Sequence, residues 1–164
     1  ETLFPYTTLF RSQGRSTKTK TPIFGMVQRD GFAHAIKVEN TKSATLLPII
    51  KQFCKDNSHL FTDENNVYMG LSVHGYTHDV IQHGVKEYSK GCITTNSIEG
   101  FWGHFKRMVF GIYHFVGKDY IQAYLDEAVY RYNTRKADAC TRFADLFSKS
   151  IGIVTYADVK KNAA

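Results

Sequence analysis

Cysteine is scarce in this chain, and the three present, Cys54, Cys92 and Cys140, are an odd number at wide spacing. They make neither a C-x-x-C metal knuckle nor a disulfide framework, which points to a reducing cytoplasm. Long apolar runs are also missing. No stretch approaches the roughly 18–20 residues of a membrane span and no signal peptide is visible, so no membrane partner is expected. No internal repeat or low-complexity tract appears. Acid is in deficit: 21 lysines and arginines stand against 15 aspartates and glutamates, for a formal net charge of +6. The excess favours an anionic partner, nucleic acid ahead of an anionic membrane surface, although an ordinary basic soluble protein has the same balance.

What remains is enough for one domain. The 164 residues are 43% hydrophobic and 14% aromatic, which suits a single packed core. The segment TLFPYTTLFRS, residues 2–12, resembles the in-frame translation of a common sequencing-adapter oligonucleotide. On that reading residues 1–13 are an artefactual or disordered leader, genuine sequence starts near Gln13, and whatever preceded it has been lost. The competing reading is a genuine apolar edge strand from Leu3 to Phe10. Residues 14–152 then form the domain and residues 153–164 a C-terminal tail.

GRSTKTKT, from Gly14 to Thr21, reads as a basic loop. Two short apolar runs, Ile23 to Gln28 and Phe32 to Val38, flank Arg29-Asp30-Gly31 and predict a β-hairpin. Asn40, Thr41 and Ser43 offer caps for a helix over Ala44 to Cys54, with Pro48 near its start, where a missing N–H is least costly. His59 to Thr62 predicts a strand, Glu64 to Gly70 a helical turn or two, and Thr77 to Gln82 another strand. Ile98, Phe101, Trp102, Phe105 and Met108 or Val109 recur as one helix face. Tyr120, Ile121, Tyr124, Leu125, Ala128, Val129 and Tyr132 do the same, with Gly117 and Asp119 placed as break and cap. A last helix is expected from Arg142 to Ser150. The order of elements implies an α/β or α+β domain with a mixed sheet.

Two carboxylates stand out. Asp63 ends a predicted strand, and Glu99 lies in the first turn of the long helix. Lys106 follows Glu99 two helical turns on and shares its side, with Gly103 between them, while the apolar stripe contains neither. Phosphoryl transfer at a DNA backbone needs hard oxygen ligands that hold two Mg²⁺ ions about 3.5–4 Å apart. Carboxylates on a strand end and a facing helix can build that cage, and a lysine beside them can meet the phosphate. Ordinary structural roles compete. Glu99 fits the third position of a capping box begun by Asn96, Asp63 can cap the turn after it, and Lys106 and Arg107 can belong to a solvated face.

The surrounding text is more specific. Thr94-Thr-Asn-Ser-Ile-Glu-Gly-Phe-Trp-Gly-His-Phe-Lys-Arg107, Gly111-Ile-Tyr-His-Phe-Val116 and Tyr124-Leu-Asp-Glu-Ala-Val-Tyr-Arg-Tyr-Asn133 resemble the C-terminal half of ISXO-type insertion-sequence transposases of the DDE kind. That family's pattern runs H-T-N-x-I-E-x-F-W-x-x-x-K-R, G-x-Y-H-x-V and Y-L-D-E-x-x-x-R-Y-N. Lys20 to Val27, Ala44 to Ile50 and Thr62-Asp-Glu64 are similar to the family upstream. The resemblance implies an RNase H-like fold and a D-D-E or D-D-N site for Mg²⁺ or Mn²⁺. It also implies metal-dependent cleavage and strand transfer of DNA, acting on terminal repeats and target, by a homo-oligomer at the nucleoid. Carried over residue by residue, Asp63 is the second acid, Glu99 the third, Asn96 the asparagine that some relatives use instead, and Lys106 the basic residue that follows.

The chain departs from that pattern at two places. Thr94 stands where the family has histidine. The first aspartate, expected in a D-E-[ST] motif on the first strand, is absent, and Asp30 lies in a hairpin turn and cannot replace it. The fold expected is therefore RNase H-like with its first strand missing, N-terminally truncated and inactive. Arg15, Lys18 and Lys20, then Arg107, His114, Arg131, Arg135 and Lys136, are candidate phosphate contacts, with Tyr130 and Tyr132 interleaved. His74, His78, His83 and His114 invite a metal reading, but their irregular spacing argues against a tetrahedral site. The alternatives to a transposase are a non-catalytic DNA-binding remnant and an RNase H-like nuclease.

Overall fold

A five-stranded mixed sheet carries helices on both faces. The structure, a computed structural model, describes residues 2–10, 21–63, 65–81, 89–90, 93–94 and 96–150. The strands are β1 (Thr2–Phe10), β2 (Thr21–Gln28), β3 (Ala33–Lys37), β4 (His59–Thr62) and β5 (Thr77–Val80), in the order β3-β2-β1-β4-β5. β1, β2 and β3 form an antiparallel meander, and β4 and β5 run parallel to β1. Parallel neighbours require a crossover, and α1 (Ser43–Phe53) supplies the one from β3 to β4. A short antiparallel ribbon, β6 (Ser89–Lys90) and β7 (Ile93–Thr94), was not foreseen in the sequence.

β1 corrects the expectation that residues 2–10 lie outside the fold and that the domain lacks its first strand, while the expected boundary at residue 13 lies outside the described residues. It is the central strand, with β2 on one side and β4 on the other. Leu3 to Phe10 pairs residue for residue with Gln28 to Thr21. Every residue of β1 except Pro5 is threonine, leucine, phenylalanine or tyrosine, mostly types that favour the pleated surface. The likeness to adapter sequence hid that propensity.

Side-chain alternation sorts the core into two faces. Leu3, Phe24, Met26 and Leu60 point to one side and enclose Leu46 and Ile50 of α1. Ile23, Val27, Ala35 and Phe61 point to the other, where α2 (Asn96–Met108) and α3 (Ile121–Asn133) cover them. The buried residues of α2 are Ile98, Phe101, Trp102, Phe105 and Met108, the stripe read from the sequence. α2 lies across β2 and β1, while α3 packs on β3.

The helix ends differ from expectation. Lys42, not Asn40, Thr41 or Ser43, occupies the N-cap of α1 and offers no side-chain bond. Asn40 instead accepts from the Lys42 N–H at 3.0 Å and the Thr45 hydroxyl at 2.8 Å, and Ser43 donates to the Val67 carbonyl. Tyr120, not Asp119, precedes α3. α4 (Ala139–Lys149) starts three residues before Arg142, because the Asp138 carboxylate accepts from the Thr141 N–H at 3.0 Å and caps it. α2 runs directly into a π turn, Val109–Tyr113.

Candidate functional site

Asp63 follows the last residue of β4 and is half-buried. Strand alternation sets it on the face of Phe61, the face that α2 covers. The Thr62 hydroxyl donates to the Asp63 carbonyl at 2.9 Å and lies 2.8 Å from His78 Nε2. Asp63 Oδ1 accepts a long bond, 3.4 Å, from the Asn65 N–H. Asn65, rather than Asp63, caps the short 3₁₀ turn Asn66–Tyr68. The carboxylate is thus held locally without being used up as a cap.

Glu99 sits exposed in the first turn of α2, three residues after Asn96, which is exposed as the first residue of the helix. Lys106 and Arg107 are exposed in its last turn. Gly103 keeps the surface between them low, its nearest neighbour being the Arg107 guanidinium. The helix therefore buries its aromatic stripe and leaves Glu99 and Lys106 beside the core.

β1 lies beside β4 in the sheet, with Thr2 paired to His59 and Leu3 to Leu60. No residue of β1, Thr2–Phe10, has a carboxylate. Among the described residues no group of three His, Cys, Asp or Glu side chains could hold a metal ion. A two-ion site needs several hard oxygen ligands converging from rigid elements. Asp63 at a strand end and Glu99 on a helix are two carboxylates, β1 adds none, and the described residues do not by themselves make a two-ion site.

The histidines serve other ends. His59 Nε2 lies 2.7 Å from the Asp79 carboxylate across β4 and β5. Burial pushes the His78 imidazole below its ordinary value, against the pull of Asp79. His74 is exposed in a 3₁₀ turn, and His83 lies outside the described residues. His114 is exposed with φ 60 and ψ −38, immediately after the π turn. π turns recur at functional sites, and a β-carbon at such a φ is strained.

Arg15, Lys18 and Lys20 lie outside the described residues. The basic end of α3 is more structural than its sequence suggests. Arg131 pairs with Glu127 at 2.8 Å. Arg135 donates to the carbonyls of Gly31 at 3.1 Å and Tyr132 at 2.7 Å, with its guanidinium 3.9 Å over the Tyr132 ring. Lys136 donates to the Asp30 carbonyl at 3.0 Å. These bonds dock the end of α3 on the β2–β3 turn, where Asp30 adopts φ 55. Carbonyl partners leave both cations charged and exposed.

Sequence reasoning missed Gln122 and Asn133. The Asn133 side chain accepts from the Ala33 N–H and donates to the Ala33 carbonyl, and Gln122 does likewise at Lys37 and Ala35. Asn133 closes the Y-N motif, so the signal was present but read without its partner.

Three comparisons bear on this arrangement. Residues 7–133 match the model of the ISXO2-like transposase domain. An uncharacterized transposase-like protein of Haemophilus influenzae is 33% identical over 100 residues, which span 61% of this chain and 80% of that protein. The crystal structure of the catalytic core domain of BIV integrase superposes with a TM-score of 0.54 at 14% identity, covering 89% of this chain and 97% of that one. At that identity the likeness is one of fold, the RNase H-like arrangement of a mixed sheet between helices.

Proposed function

Because the chain belongs to the ISXO2-like transposase domain family, we propose that it is a transposase catalytic domain of DDE type that binds DNA but does not cut it. The observation that carries this is the composition of β1, the central strand beside β4, which has no carboxylate from Thr2 to Phe10. Strand cleavage and strand transfer of an insertion sequence with Mg²⁺ or Mn²⁺ is the activity of the complete site. Asp63 and Glu99 are its two remaining carboxylate ligands, Asn96 is a further oxygen donor one turn before Glu99, and Lys106 meets the scissile phosphate. An RNase H-like nuclease would need the same ligands and is disarmed by the same gap. The proposal thus adopts the non-catalytic DNA-binding reading and sets the nuclease aside.

Affinity rests on charge. Lys106, Arg107, His114, Arg131, Arg135 and Lys136 are exposed on the described surface, and Arg15, Lys18 and Lys20 add to the +6 balance. The partners are the element's terminal repeats and target DNA, held by a homo-oligomer at synapsis, at the nucleoid of a bacterial cytoplasm. No helix among the described residues is long and apolar enough to cross a membrane. The test is anisotropy of a labelled mixed-sequence duplex across a salt series. Binding that weakens linearly in log salt supports the reading. Absence of binding at low salt overturns it.

A further inference from the structure

α2 and α3 meet in a groove of about 340 Å³ on the flank of α2 away from Glu99 and Lys106. Phe101, His104, Phe105 and Met108 line it from α2 at the i, i+3, i+4, i+7 spacing. Ala128, Arg131 and Tyr132 line it from α3, and Arg135 from the turn just after it. Phe101, Phe105, Met108 and Ala128 form a buried apolar floor, while Ile112 stands exposed at the mouth. Three arginines, Arg107, Arg131 and Arg135, rim it, and no carboxylate is among its lining residues.

An occupant must match both features at once. The exposed mouth, Ile112 and His104, calls for a flat apolar body, and the rim calls for an anion. Duplex DNA offers phosphates but keeps its bases stacked, which would leave the mouth uncovered. An unpaired nucleotide offers a π-face and a phosphate on one unit. The Arg135 guanidinium stacked on Tyr132 extends the aromatic wall with a cation, the combination that single-strand binding uses. The volume is at the lower end of small-ligand pockets, about 300–1,000 Å³, and suits one base.

We propose that this groove takes one unpaired nucleotide of a DNA strand, with its base against Ile112, His104 and Tyr132 at the mouth and its phosphate on the arginines. This rests on the DNA-binding reading above and adds a subsite remote from Asp63 and Glu99. Ala128→Met extends a side chain into the groove without changing charge, and Ile112→Gln makes the exposed mouth polar. Both leave the charges that attract duplex DNA in place.

The test compares anisotropy of an oligo-dT of about 12 nucleotides with that of a duplex of equal length, on the full chain and both variants. Folding of each variant is checked by circular dichroism. The expected result is a loss of about tenfold or more in oligo-dT affinity for Ala128→Met, a smaller loss for Ile112→Gln, and duplex affinity unchanged within about twofold. Oligo-dT affinity unchanged in both folded variants, with duplex still bound, overturns the groove and spares the DNA reading. Failure of the wild-type chain to bind either probe overturns both. A polyglutamate peptide bound in a manner sensitive to Ala128→Met, with oligo-dT binding insensitive to it, overturns the nucleotide in favour of an acidic peptide.

Discussion

Asn133 pairs with Ala33 as a strand would: its Oδ1 accepts from the Ala33 N–H at 2.7 Å, and its Nδ2 donates to the Ala33 carbonyl at 3.0 Å. β3 is an edge strand, and edges carry unpaired backbone groups that natural sheets must cover. At the other end of α3, Gln122 accepts from the Lys37 N–H at 2.8 Å and donates to the Ala35 carbonyl at 3.4 Å. Two side-chain amides therefore close the sheet and fix α3 on it. Asn133→Leu leaves both Ala33 groups unmatched in a partly buried place. The expected cost is about 1–3 kcal/mol in urea denaturation, and an unchanged midpoint would show that the amide contributes nothing.

Gly25 lies in the middle of β2 directly beneath the indole of Trp102, and a β-carbon there would overlap the six-membered ring. Gly25→Ala should destabilise the chain by about 1–3 kcal/mol through overpacking. Trp102 is the one tryptophan, so its emission reports the displacement directly. Gly100 has nothing near its absent β-carbon, and Gly100→Ala should stabilise by about 0.5–1 kcal/mol by improving helix propensity. Equal effects at the two glycines would contradict this packing.

His114 holds φ 60 on a β-carbon-bearing residue, a conformation that costs of order 1–3 kcal/mol. His114→Gly should relieve it and raise stability by about 1 kcal/mol, while weakening duplex binding slightly through the lost ring. His114→Ala should give no gain in thermal stability. A gain in both would place the benefit elsewhere than in the backbone.

His34 and His78 are each held below the ordinary value of 6.5, first by burial, with Asp126 and Asp79 opposing. The unfolded chain therefore takes up protons at a higher pH than the folded one. The stability tied to these neutral rings is complete above pH 6.5 and is lost as pH falls through their lowered values. Asp138 and Asp145 are held low by hydrogen bonds from Thr141 and Lys149, so they titrate below this window. The urea midpoint should fall between about pH 7.5 and 5.5, and less steeply in the His34→Gln, His78→Gln double variant. An equal fall in both proteins would assign the effect to other groups.

Local periodicity made most of the fold legible in the sequence. The α2 stripe, the β2–β3 hairpin and the short strands β4 and β5 follow from spacing and turn chemistry alone. β1 was legible only as the competing reading of Leu3 to Phe10 as an edge strand, set below its likeness to adapter sequence, and its central place in the sheet was not. The roles of Arg135, Lys136, Gln122 and Asn133 were hidden for another reason. Their partners lie in β3 and the turn before it, some 85 to 106 positions away in sequence, and local spacing carries no trace of that. Of the candidate site, the sequence singled out Asp63 and Glu99, while only the sheet order showed that an acid-free strand stands beside β4.

The most direct test of the central claim is product formation on a DNA substrate carrying insertion-sequence ends, with Mg²⁺ or Mn²⁺, by the chain as it stands. The account predicts binding without cleavage or joining, because β1, the strand beside β4, has no carboxylate. Cleaved or joined product that Asp63→Ala or Glu99→Ala abolishes would contradict it, since two carboxylates would then suffice.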